Sequence, residues 1–340
     1  MKSNLPNKWF YGVDSIRFVL AFIVMLSHFD NVYATALKHS SHLLLRYAGF
    51  FIANAFDGIA AVIAFFIISG FVIHYPNKNG IPDLKEFWIR RFLRILIPLF
   101  VILIIGSKFN HPEKTVVWSL FCELIYYALY PFLSMIRLSW KNKFLISYAI
   151  AALVICLVAY PDIIAFLKQT NVNFEGSYRP GAGYFTWIIG LPCWLLGVLI
   201  AEKIDALKPV TFMSLLIYRL LAYAISCFCL VGEFHLHLSY ILTMNIFAFL
   251  LYKWIQTEIV YFKSHKPNLI LERMGKFSYS LYLCHPLLYA ILGLFIKISP
   301  ATYPVFILVI ITASYLFYLL VEKPGHKLAR IINSRYNLAS

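Results

Sequence analysis

Acidic residues are scarce in this sequence, 15 Asp and Glu against 30 Lys and Arg, and charge of either sign accounts for only 13% of its 340 residues. So little charge, beside 61% apolar and 18% aromatic residues and a mean hydropathy of +0.76, excludes a soluble globular chain. Low-complexity tracts, a soluble appendage and an internal repeat are all missing, so 1–340 reads as a single membrane-embedded domain. The six cysteines, Cys122, Cys156, Cys193, Cys227, Cys229 and Cys284, lack zinc spacing and fall inside apolar runs, where they act as small core residues. With no other metal-ligand pattern, no metal is expected.

What the chain has in abundance is apolar runs of about 20 residues, each long enough for roughly 30 Å of hydrocarbon as a helix. Ten are expected, over 13–35, 55–76, 92–106, 116–136, 144–161, 184–202, 212–231, 237–255, 277–297 and 301–322, making an all-α polytopic membrane protein. Cations in short loops stay on the cytoplasmic side, which sets orientation. With both termini cytoplasmic, 21 of the 30 Lys and Arg fall on inner segments and 7 on outer ones, leaving Arg17 and Arg219 within helices. The formal charge of +15 is then a topology signal and an attraction to anionic membrane lipid, not a sign of nucleic acid.

Two ionisable groups interrupt the first run, "DSIRFVLAFIVMLSHF" at 14–29. Eleven residues at about 100° each return His28 to the face of Arg17, some 16.5 Å further along the axis, and Asp14 can pair with Arg17 one turn away. Charge at bilayer depth is costly unless it faces protein or a wet cavity, so this face should line one. Snorkelling of Arg17 and an interhelical hydrogen bond from His28 would account for each residue without chemistry. Lys2, Lys8 and Arg17 before an apolar run, with "ATA" at 34–36, also have the form of a secretory signal peptide, whose removal would take both residues. His28, Asp30 and Asn31 break that run and favour a retained helix.

Further polar groups could converge on the same cavity. Arg91 and Arg94 in "FWIRRFLRILIP" share a helical face at the inner end of the third span, suited to phosphate oxygens because guanidinium forks bind them bidentately. They serve equally as a positive-inside anchor. Glu123 in "WSLFCELIYYALYP" is expected at a depth where it could orient His28 and raise its basicity. Asp57 stands at an outer helix end, Ser69 and Gly70 near an inner one, and Tyr279 and His285 enter the ninth span, His285 just before Pro286.

The chain resembles the integral-membrane acyltransferase-3 family over nearly its whole length. Arg17 and His28 match the family's Arg-x10-His, Arg91 and Arg94 its Arg-x2-Arg, and "FFIISGFVI", "WSLFCE", "SYSLYLCHP" and "VEKP" follow as landmarks in order. Phe18 and Leu124 stand where the family commonly has a glycine and a second polar residue, and Ser15 lies near another usual glycine. The resemblance implies transfer of a short acyl group, usually acetyl from acetyl-CoA, to a hydroxyl of a carbohydrate, often a cell-surface polysaccharide or its lipid-linked precursor, in the cell inner membrane. It also implies the stand-alone type, without an extracytoplasmic hydrolase-like domain. His28 would be general base or acyl acceptor, Glu123 would orient it, and Arg17, Arg91 and Arg94 would hold the acyl-CoA phosphates. Asp14, Ser69, Tyr279 and His285 would support them. The alternative is a transporter or flippase using Arg17, His28 and Glu123 as a proton or substrate pathway, although the paired repeats common in such proteins are absent.

Overall fold

The computed structural model describes residues 10–109, 116–168, 183–236 and 238–339; Lys2, Lys8, Lys114, Arg179 and most of the loop expected over 162–183 lie outside these. Among the described residues every regular element is helical. In chain order these are α1 (Val13–Ser27), α2 (Val32–Lys38), α3 (Leu43–Ala53), α4 (Gly58–His74), α5 (Leu84–Lys108), α6 (Val117–Met135), α7 (Trp140–Val158), α8 (Tyr160–Leu167), α9 (Thr186–Lys203), α10 (Phe212–Leu236), α11 (Tyr240–Tyr261), α12 (Leu269–Gly275), α13 (Ser278–Gly293), α14 (Tyr303–Phe317) and α15 (Lys323–Ala339). A π-helical turn, Tyr318–Glu322, joins α14 to α15.

A helix stands in each of the ten expected spans, but length and composition mark only six runs as able to cross a membrane: Leu43–Asn77, Val117–Met135, Trp140–Val158, Gly183–Ala206, Phe212–Leu236 and Tyr303–Ala329. Taking α1 and α2 together as one broken span, bent by 54°, adds a seventh. The other three fall short for visible reasons. The 16-residue α13 is short, α5 carries its arginines in its first half, and α11 includes Asn245, Lys253 and Glu258. Large apolar side chains such as Leu220 and Phe228 on α10 and Leu308 and Leu316 on α14 face outward, as a lipid-contacting surface requires.

Two glycines draw the centre of the bundle together. A Cβ on Gly70 of α4 would collide with the Trp194 carbonyl of α9, and one on Gly197 of α9 with the Ile67 carbonyl of α4. The absent side chains let the two backbones touch, which is how membrane helices gain packing where lipid supplies no hydrophobic drive. Asp57 caps α4, its Oδ1 accepting from the Ala60 amide at 2.9 Å.

The first helix is capped from a distance. Gly12, at φ +86°, precedes α1 and has no side chain to offer. Oε1 of Glu272 on α12 takes over, accepting from the amides of Gly12 (2.8 Å) and Ser15 (3.2 Å) and from Ser15 Oγ (2.7 Å). Gly275 permits this approach, since a Cβ there would strike the Asp14 backbone. Ala21, Val24 and Met25 of α1 are buried in the main core, so the helix is an integral part of the fold.

The remaining intrahelical cation, Arg219, pairs side by side with buried Glu258 of α11, Nε to Oε1 at 2.6 Å and Nη2 to Oε2 at 2.9 Å, and Trp254 donates to the same carboxylate. That arrangement satisfies it as a packing element. All six cysteines are free thiols on α6, α7, α9, α10 and α13.

Candidate active site

Two chambers open along α1, one towards its N-terminal end and one beyond its C-terminal end. The first, with an empty volume of about 830 Å³, is lined by Arg17 of α1, Ser69 of α4, Arg91 and Arg94 of α5, Glu123 and Tyr127 of α6, and Tyr279 of α13. Here the structure brings together the three arginines that the sequence separates by 77 residues, and places Ser69 and Tyr279 beside them.

Local structure explains each position. Arg91 and Arg94 are one turn apart on α5, so both turn towards α1 and α6. Arg17 is steadied by Asp14, Nη1 to Oδ1 at 3.4 Å, the pairing expected from their spacing. Tyr279 donates to the Ile95 carbonyl at 2.9 Å, tying α13 to α5 at the chamber wall. Trp194 Nε1 donates to Ser69 Oγ at 3.2 Å, which in turn donates to Glu123 Oε1 at 2.8 Å. Tyr127 also donates to Glu123 Oε1.

Glu123 therefore belongs to the arginine chamber, and the orienting contact to His28 expected from the sequence is not what the fold makes. The two residues line different cavities. Buried Glu322 on the π turn, accepting from Ser280 Oγ at 2.5 Å, adds a second carboxylate close enough to act on Arg17 and Arg94. Asp14 is bonded to Arg17 and Glu123 to two hydroxyls, so among the described residues neither Arg91 nor Arg94 is paired directly with a carboxylate and their guanidinium forks stay open to the chamber. Such a site favours a multiply charged anion.

The second chamber, of about 1330 Å³ empty volume, is lined by His28, Asp30, Asn31, Lys38, Trp118, Glu233 and Tyr240 among others. Tyr282 and Val62 contribute to both walls. Tyr282 is hydrogen-bonded to Ser119 across the partition at 2.6 Å.

His28 has a partner that sequence spacing could not reveal. Its Nδ1 lies 2.8 Å from Nε2 of His285 on α13, the two rings stacked at 26° with centroids 5.0 Å apart. His285 is fully buried while His28 is exposed to its chamber. Nδ1 of His285 is 3.1 Å from the Leu281 carbonyl, which can only accept, so this nitrogen carries the proton. With both rings neutral, Nε2 of His285 must then accept, and Nδ1 of His28 must donate. The lone pair of His28 is left on Nε2, free for a proton or an electrophile.

Residues missed by sequence reasoning are Tyr127, Tyr282, Ser119 and Glu322, although Glu322 sits in the "VEKP" landmark. Among the described residues no three His, Cys, Asp or Glu side chains converge as a metal would need.

Long apolar helices around a buried, arginine-rich chamber with an exposed imidazole beyond it define a multi-pass membrane protein with an intramembrane polar site. The chain belongs to the acyltransferase-3 family, whose acyltransferase domain (Acyl_transf_3) matches residues 10–319. It is thus a membrane acyltransferase, working on an acyl donor and an acceptor. Comparisons with curated proteins and with solved structures return no match.

Proposed function

We propose that the protein transfers an acetyl or other short acyl group from acyl-CoA to a hydroxyl of a cell-surface carbohydrate or its lipid-linked precursor. The observation that carries this reading is the convergence of Arg17, Arg91 and Arg94 on one chamber, separated by Tyr282 from the free imidazole nitrogen of His28. The arginines suit the phosphates of a CoA donor. In this reading all ten helices in the expected spans cross the cell inner membrane as one domain, with both termini cytoplasmic. Asn245 and Glu258 of α11 and His285 of α13 are then buried in protein, Arg91 and Arg94 of α5 line the chamber, and that chamber opens to cytoplasmic acyl-CoA.

His28 acts at the acyl carbon. As the acceptor oxygen attacks the thioester carbonyl, Nε2 takes the hydroxyl proton; the C–S bond breaks, and the proton passes to the departing thiolate, giving ester and free CoA. In the two-step route Nε2 attacks first and the C–S bond breaks, the departing thiolate taking up the proton that the ring releases from Nδ1, so that CoA leaves as the thiol and a neutral acyl-imidazole remains; the sugar oxygen then attacks the acyl carbon, the C–N bond breaks and the hydroxyl proton returns to the imidazole. His285 holds the ring in the tautomer both routes need. Transfer of label from acetyl-CoA to glycan in membranes carrying the wild type, His28→Ala or Arg91→Ala tests the reading. Full labelling by His28→Ala removes the histidine from the mechanism, and an unchanged acetyl-CoA requirement in Arg91→Ala removes the arginine from donor binding.

A further inference from the structure

The chamber of His28 holds polar groups that the fold leaves unsatisfied. Oε2 of Glu233 and the hydroxyl of Tyr240 line it, both residues are more than nine-tenths buried, and neither atom has a hydrogen-bond partner among the described residues. Oδ2 of Asp57, next to chamber-lining Gly58, faces the Tyr240 hydroxyl without closing a well-formed hydrogen bond to it. Buried polar atoms without partners are costly, and several of them beside one cavity point to a ligand that completes them.

We propose that this chamber is the acceptor subsite and that it takes a neutral or amino sugar, while turning away uronic acids and phosphorylated sugars. The assignment rests on the acyltransferase reading above. A carboxylate oxygen and a phenol offer one acceptor and one donor–acceptor, which match neighbouring hydroxyls of a pyranose. Trp118 on the same wall gives an apolar platform for the C–H face of the ring. The charge decides the class. Among the described residues Asp30 and Glu233 line the chamber with Asp57 just behind, against one lysine, Lys38, whose ammonium sits over the Phe50 ring at 5.4 Å. The arginine chamber is lined by three arginines against the one carboxylate of Glu123. An anionic donor and an uncharged or cationic acceptor are thereby sorted to the two sides of Tyr282, with His28 on the acceptor side.

The experiment uses membranes carrying the full chain and its native glycan. Labelled acetyl-CoA is supplied, the glycan is hydrolysed and the labelled sugar identified. Label on a neutral or amino sugar is expected; label on a uronic acid or a phosphate-bearing sugar overturns the assignment. In Glu233→Gln and Tyr240→Phe the glycan concentration needed for half-maximal labelling should rise roughly 10- to 100-fold, while protection of the purified protein by CoA against thermal unfolding stays at the wild-type level. Unchanged glycan dependence, or loss of CoA protection in step with transfer, assigns these residues to helix packing and overturns the subsite. Wild-type membranes that move no label overturn the acyltransferase reading itself.

Discussion

Nδ1 of His28 and Nε2 of His285 face each other at 2.8 Å across α1 and α13, and the Leu281 carbonyl at the far end of the pair decides which nitrogen carries which proton. Removing His285 removes the acceptor for the His28 proton while leaving His28 in place. His285→Ala is expected to lower kcat roughly 10- to 100-fold, the scale on which groups that orient a functional imidazole act. His28→Ala should cost more, on the order of 10²–10⁴. The KM for acyl-CoA should stay constant in both; a raised donor KM with normal kcat would place the pair in binding.

The arginine chamber predicts a different kinetic signature. Arg91→Ala or Arg94→Ala loses charge-assisted contacts to phosphate and should raise the donor KM roughly 10- to 100-fold. Lysine at either position restores the charge but not the fork, so Arg94→Lys should recover only part of the loss. Titration with acetyl-CoA and with a short thioester lacking the nucleotide separates the cases, because the truncated donor should be indifferent to these substitutions.

Close contact between α4 and α9 gives a stability prediction. Gly70→Ala or Gly197→Ala forces a methyl group into a backbone carbonyl and should destabilise the protein by about 1–3 kcal/mol, seen as a lower thermal midpoint in detergent. Gly293 at the end of α13 has nothing within 4 Å of its would-be Cβ. Gly293→Ala should leave the midpoint unchanged or slightly raised.

Glu272 stabilises the start of α1, and Glu272→Ala should cost about 0.5–2 kcal/mol, the usual range for a lost helix cap. Glu272→Gln keeps an acceptor oxygen and should cost less. Equal losses in the two variants would show that the charge, not the acceptor, matters at this helix end.

The buried face of α1 also predicts that the first helix stays in the mature protein. Intact mass of the membrane-extracted chain should include residues 13–38; a chain beginning after "ATA" would lack Ala21, Val24 and Met25 from its core and both Arg17 and His28.

The sequence by itself determined the all-helical architecture, because runs of apolar residues in lipid have few ways to satisfy their backbone groups other than helices. It also determined the local pairings that follow from 3.6 residues per turn: Asp14 with Arg17, and Arg91 beside Arg94 on one wall. Tertiary structure alone decided the contacts made across the bundle. His285 lies 257 positions from His28, and Glu272 reaches Gly12 from 260 positions away. Periodicity reports which way a side chain faces on its own helix, but depth and rotation of the partner helix depend on packing at contacts such as Gly70 against Trp194. That is why Glu123 could be placed inside the membrane from the sequence and yet be matched with the wrong chamber.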